Sequence, residues 1–298
     1  MVKRVIGIIG CVLLALVLYS CNSTPNESAL VPEENDTENS DLTIIPTEKI
    51  TELEDGLSAI RFEGNSGFDE FLVQGGAVSD GDVAKYLTGL VAQNISLGDL
   101  LFGCSTISVP NANGGYLFGR NFDWETCHAM IVQAVPEKGY KSISTVNTDF
   151  ISMSGVDLGK LPDKAQALIS LYAPLDGMNE KGLAVSVNMI QDSATINQNT
   201  GKPGLTTTTA IRLLLDNAAG VDEALELLRQ YDMHASMGYM MHLAIADNTG
   251  RSVVVEYIDN EMVVVETPAV TNFYLAEGEK NGIGTAQSHE RYDILMDT

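Results

Sequence analysis

Cys104 stands between Gly103 and the pair Ser105-Thr106 at the head of a strand-like run, and a second run brings Arg120 and Asp123 back toward it. A thiol beside a guanidinium and a carboxylate suits nucleophilic acyl transfer, because the thiolate is the reactive form and a positive neighbour favours it. An internal peptide nitrogen cannot take the thiol proton, whereas a terminal amine, with an ordinary pKa near 8, can. Cleavage between Gly103 and Cys104 would therefore create nucleophile and base in one residue. In that scheme Asp123 orients the new amine and holds its proton, while Arg120 favours the thiolate and assists developing negative charge. Donors for a tetrahedral oxygen are also needed. Asn188, after the run Leu183 to Val187, and Asn272, after Ala269-Val270-Thr271, are candidates, although an asparagine taken singly is more often a turn residue.

Positioning these groups requires a hairpin. The cluster Pro110-Asn111-Ala112-Asn113-Gly114-Gly115 reverses the backbone between Ile107, Val109 and the run Tyr116 to Phe122. The register then places Cys104 opposite Phe122 with Arg120 as its diagonal neighbour on the same face, and Asp123, just past the paired region, approaches the Cys104 nitrogen. Upstream, Ser79 or Asp80 caps a helix carrying Val83, Leu87, Leu90 and Val91 and ending near Asn94. Downstream, strands are expected at Met130–Val135, Ile143–Val146, Leu183–Ile190, Gly238–Ala246, Ser252–Ile258 and Met262–Val265. Helices are expected at Asp163–Leu171, from Ala210 to Ala218, at Val221–Tyr231 and from Glu290. Helices grouped against antiparallel strands indicate an α+β fold.

The chain opens with Lys3-Arg4, an apolar stretch from Val5 to Leu18, and Leu18-Tyr19-Ser20-Cys21, the lipobox pattern of a bacterial lipoprotein signal over residues 1–21. The apolar stretch is shorter than the ~18 residues of a membrane span. Acyl chains on Cys21 would hold the protein at a membrane surface outside the cytoplasm. Residues 22–55 are polar and acidic and read as a flexible tether. Forty acidic residues against 17 basic ones give a net charge of -23, which excludes a nucleic-acid partner. The four histidines are scattered, so no metal site is expected, and no phosphate loop points to a cofactor. Cys104 and Cys127 would be the only other cysteines left, and a disulfide between them is the alternative to a reactive thiol.

The run Gly103-Cys104-Ser105-Thr106 with Gly119-Arg120-Asn121-Phe122-Asp123-Trp124 resembles the amino-terminal nucleophile (Ntn) hydrolases of the choloylglycine hydrolase and penicillin V acylase family. The resemblance implies catalytic roles for Cys104, Arg120 and Asp123. It extends to Asn188 in Gly182-Leu183-Ala184-Val185-Ser186-Val187-Asn188, to Thr271-Asn272, and to Arg291-Tyr292 near a helix start. It implies a four-layer αββα fold, two stacked antiparallel sheets between helical layers. Because Cys104 lies far inside the chain, the arrangement is similar to acid-ceramidase-like relatives, with residues 56–103 as a helical front piece and 104–298 as the catalytic domain. The chain stops seven residues after Arg291, where relatives continue, so a truncated sheet is expected. The implied activity is hydrolysis of a linear amide of an N-acyl substrate with an apolar acyl group. The alternatives are acyl transfer to another amine, or a non-catalytic surface lipoprotein. Oligomeric state, a homo-oligomer included, stays open.

Overall fold

The computed structural model describes residues 49–91, 103–124, 126–153 and 157–297. The expected leader, Cys21 and most of the tether lie outside the described residues. Among the described residues no helix is long and apolar enough to cross a membrane.

The front piece begins with strands β1 (Thr51–Glu54) and β2 (Leu57–Gly64), followed by helices α1 (Phe68–Val73) and α2 (Asp80–Val91). Helices α1 and α2 fall in the piece expected to be helical, whereas strand β2 there was not expected and β1 lies at the end of the stretch read as tether. Ala59, Ile60 and Phe62 are buried in β2, whereas Glu63 is exposed. The hairpin follows as β3 (Gly103–Pro110) and β4 (Tyr116–Asp123). Its turn uses Gly114 and Gly115 at φ 88° and 84°, a left-handed region that glycine enters without a Cβ clash. The Asn111 side chain accepts from the Asn113 amide inside that turn.

Next come β5 (Ala129–Pro136), β6 (Ser142–Asn147), α3 (Thr148–Met153), α4 (Asp163–Leu171), β7 (Asp176–Asn179) and β8 (Ala184–Met189). The remainder is β9 (Gly204–Thr206), α5 (Thr207–Asn217), α6 (Val221–Leu228), β10 (Asp232–His234), β11 (Met241–Ala246), β12 (Ser252–Ile258), β13 (Glu261–Glu266), β14 (Ala269–Val270) and α7 (Ala286–Met296). Helix α5 starts where Thr206 and Thr209 exchange side-chain and backbone hydrogen bonds, a reciprocal cap.

A nine-stranded sheet runs β1-β2-β5-β6-β7-β8-β11-β12-β13, and a three-stranded sheet runs β14-β3-β4. The large sheet is antiparallel except for β2 beside β5, a parallel pair running from Leu57↔Ala129 to Gly64↔Pro136. Helices α4 and α5 pack on one face of the large sheet, β3 of the small sheet packs against β8, and α7 lies on β3 and β14. The layers are therefore helix, sheet, sheet, helix, the expected αββα order. Apolar side chains such as Val132, Val185, Leu214, Leu215 and Val255, all 0 % exposed, fill the core.

Candidate active site

Strand parity decides which side chains of the hairpin look inward. In β3, Cys104, Thr106 and Ser108 are buried, and in β4, Phe118, Arg120 and Phe122 lie on the partly covered face while Leu117, Gly119, Asn121 and Asp123 are exposed. Cys104 pairs with Phe122 and Thr106 with Arg120, as the turn chemistry requires. The hairpin thus delivers the Cys104 thiol and the Arg120 guanidinium into the space between the two sheets.

There Arg120 Nη2 lies 3.6 Å from Cys104 Sγ and donates to the Val187 carbonyl at 3.0 Å, while Nη1 meets Asp176 Oδ2 at 2.6 Å. Thr145 donates to the other Asp176 oxygen at 2.5 Å. Cys104 is 2 % exposed. Burial pushes its thiol pKa up, and the nearby Arg120 charge, the Met189 backbone N–H and Arg291 oppose that without reversing it. In the continuous chain the sulfur is accordingly a thiol, held beside groups that favour its anion.

The Cys104 backbone is held just as closely. Its N–H donates to Asn272 Oδ1 at 2.8 Å, and its carbonyl accepts from Arg291 Nη1 at 3.0 Å. Arg291, on α7, also donates to Ser105 Oγ at 2.9 Å and through Nη2 to Asn272 Oδ1 at 2.8 Å. Asn272 Nδ2 donates to the Met189 carbonyl at 2.7 Å, which fixes which end of the amide faces Cys104.

Four of the six expected residues, Cys104, Arg120, Asn272 and Arg291, therefore meet in one cluster. Asp123 does not join them. Its Cα pairs with Gly103, its side chain is exposed on the opposite face from Arg120, and the Cys104 N–H bonds to Asn272 instead. The physical reason is spacing: residues three apart in a strand point to opposite faces. Asn188 is also not aimed at the thiol. It is 0 % exposed, its Oδ1 accepts from Thr106 Oγ1, and its Nδ2 faces the Val270 and Thr271 carbonyls, so its bonds tie β8 to the small sheet. Asn272 presents an acceptor to Cys104, not the donor expected of it. Cys104 and Cys127 are both free thiols, the former buried and the latter exposed.

Two groups carried no signal in the sequence. Asp176 lies in a short strand far from the hairpin, and only the sheet pairing of β7 with β6 and β8 brings it to Arg120. Met189 contributes backbone atoms alone. Beside Arg120 opens a cleft of about 430 Å³ whose lining includes Phe118, Phe122, Ile131, Ile143 and Met178. Among the described residues no cluster of metal-ligating side chains occurs.

The model of the linear amide C-N hydrolases, choloylglycine hydrolase family, matches residues 104–272 and so starts at Cys104. A curated relative, penicillin V acylase of Pectobacterium atrosepticum, is 34 % identical over 99 residues, 30 % of this chain and 26 % of that protein. Among solved structures, a mutant of conjugated bile acid hydrolase from Clostridium perfringens is similar at 19 % identity and TM-score 0.41, over 57 % of this chain and 54 % of that one. Penicillin V acylase from Agrobacterium tumefaciens is similar at 21 % identity and TM-score 0.33, over 60 % and 46 % of the two chains. The chain thus spans about a quarter of the curated relative and about half of each solved structure. With more than half of its residues under the family match, the chain belongs to the choloylglycine hydrolase family of linear amide C-N hydrolases.

Proposed function

We propose that this protein is a cysteine amidohydrolase that matures by breaking its own Gly103–Cys104 bond and then hydrolyses a linear amide with an apolar acyl group. The observation that carries the reading is that the first residue of the family match has its sulfur beside Arg120 and its nitrogen held by Asn272.

In the first step Cys104 Sγ attacks the Gly103 carbonyl, the C–N bond breaks, and a thioester joins Gly103 to the sulfur. Water then cleaves the thioester, leaving a Gly103 carboxylate, a free thiol and a new α-amine. That amine, with an ordinary pKa near 8, takes the thiol proton at neutral pH, which the peptide nitrogen could not do. The thiolate adds to the substrate acyl carbon, the amine product departs with a proton, and water activated by the α-amine releases the acid and regenerates the thiol. Arg120 stabilises the anionic sulfur, and Asp176 holds Arg120 in place. Arg291 and Asn272 keep the Cys104 backbone in register. Asp123, on the strand residue opposite the broken bond, acts only once Cys104 is a terminus.

The cleft beside Arg120 supports an apolar acyl group, since its lining is largely aromatic and aliphatic. The penicillin V acylase and bile acid hydrolase relatives make a phenoxyacetyl amide and a bile-acid conjugate the first substrates to try. The leader sequence supports an extracytoplasmic, lipid-anchored protein, and Cys21→Ser would release it from the membrane fraction.

The test is intact mass together with amide turnover. Wild type is expected as two pieces divided before Cys104 and active on an N-acyl amide, and Cys104→Ala as one uncut, inactive chain. An uncut wild-type chain, or an active Cys104→Ala variant, removes the reading.

A further inference from the structure

Asn188, His242 and Glu256 form a polar row across three adjacent strands of the large sheet. His242 pairs with Asn188 between β11 and β8, and Glu256 follows Val255, which pairs with Leu243 between β12 and β11. All three are 0 % exposed. A row of this kind in a sheet interior is costly unless every polar atom finds a partner.

Asn188 Oδ1 accepts from Thr106 and Ser186, and the remaining partners outside the row lie on one stretch of chain, residues 270–276. Asn188 Nδ2 faces the Val270 and Thr271 carbonyls. His242 Nε2 lies 2.9 Å from the Thr271 carbonyl. Glu256 Oε1 accepts from the Leu275 amide and Oε2 from the Ala276 amide, each at 2.9 Å. His242 Nδ1 lies 3.0 Å from Glu256 Oε1 and closes the row. Asn272, the acceptor for the Cys104 N–H, sits between the two anchor points.

A carbonyl oxygen only accepts, so the Nε2 facing Thr271 carries hydrogen. Burial pushes the Glu256 pKa up, but the His242 hydrogen bond and charge and the two amides outweigh it and hold the carboxyl below its ordinary range.

We propose that Glu256 and His242 are positioning residues: as a buried hydrogen-bonded pair they hold the 271–276 stretch, and so set Asn272 against the nitrogen of Cys104. Neither touches the reacting atoms. The proposal rests on the reading of Cys104 as the nucleophile, and it adds the device that keeps that residue's nitrogen oriented from two strands away.

Full-length protein carrying ¹⁵N-histidine and ¹⁵N-asparagine tests it. The His242 resonances are expected to show a proton on Nε2, facing the Thr271 carbonyl, and the Asn272 side-chain amide, bonded to the Met189 carbonyl, to exchange slowly. In Glu256→Gln, Asn272 exchange is expected to speed up by about tenfold or more, and kcat to fall by about tenfold or more with KM within about twofold. A bare His242 Nε2, or an Asn272 amide that exchanges freely in wild type, overturns the proposal. So does a folded Glu256→Gln with an unchanged Asn272 amide and unchanged kcat. Should wild type cleave no amide, the amidase reading fails, while the Asn272 exchange rates still decide the positioning claim. Should the variant not fold, the wild-type resonances decide it.

Discussion

One guanidinium spans the thiol and its counter-charge: Arg120 Nη2 is 3.6 Å from Cys104 Sγ while Nη1 is 2.6 Å from Asp176 Oδ2. Because the positive charge opposes the burial that raises the thiol pKa, Arg120→Gln should raise it further. Alkylation of Cys104 by iodoacetamide, followed against pH, should shift its midpoint upward, with at least about tenfold slower labelling at neutral pH.

Asp176→Asn keeps the shape but removes the charge that orients Arg120. The expected result is a fall in kcat of about tenfold with a smaller change in KM, measured on the amide that wild type turns over. An unchanged kcat would mean that Val187 and the packing around Arg120 suffice to hold it.

Asn272 and Asp123 should part company in a stability measurement. Asn272→Ala strips the acceptor from the Cys104 N–H and from Arg291, so urea denaturation of an uncleaved Cys104→Ala background should show a loss of about 2 kcal/mol or more. Asp123→Asn in the same background should stay within about 0.5 kcal/mol, because the side chain is exposed. A loss of turnover in Asp123→Asn with cleavage intact would place the role of Asp123 after maturation.

Acid stability should depend on Asp232. Burial pushes its pKa up, but Thr200 Oγ1 and the Thr200, Lys202 and Gly201 amides outweigh this and hold it below 3.8. A lowered folded pKa means that the unfolded chain binds more protons as the pH falls through 3.8. The stabilisation is therefore present above that value and lost below it, down through the folded pKa. Asp232→Asn should lower Tm near neutral pH and flatten its decline between about pH 4 and 2.

How far the sequence reached is clearest in the hairpin. The Asn-Gly-Gly turn and the alternation of its flanks give the register Cys104↔Phe122, and the Asp163–Leu171 helix appears with its expected limits. The same alternation, carried one step further, puts Asp123 on the other face from Arg120. Strand β2 was not legible, since Arg61 and Glu63 interrupt its apolar side chains and its partner β5 lies some seventy residues on. Asp176 and Glu256 reach their partners only through the order of strands in the large sheet, which no local pattern encodes.

Placing β2 between β1 and β5 also bears on how the part from Cys104 onward could ever be made alone. A polypeptide synthesised from Cys104 onward would already carry Cys104 with a free amine, yet the β5 edge that β2 covers would face solvent with no partner strand. Such an open margin recruits foreign strands. Recombinant material begun at Cys104 should precipitate unless residues 49–91 are supplied in trans, which would show the front piece shielding that margin.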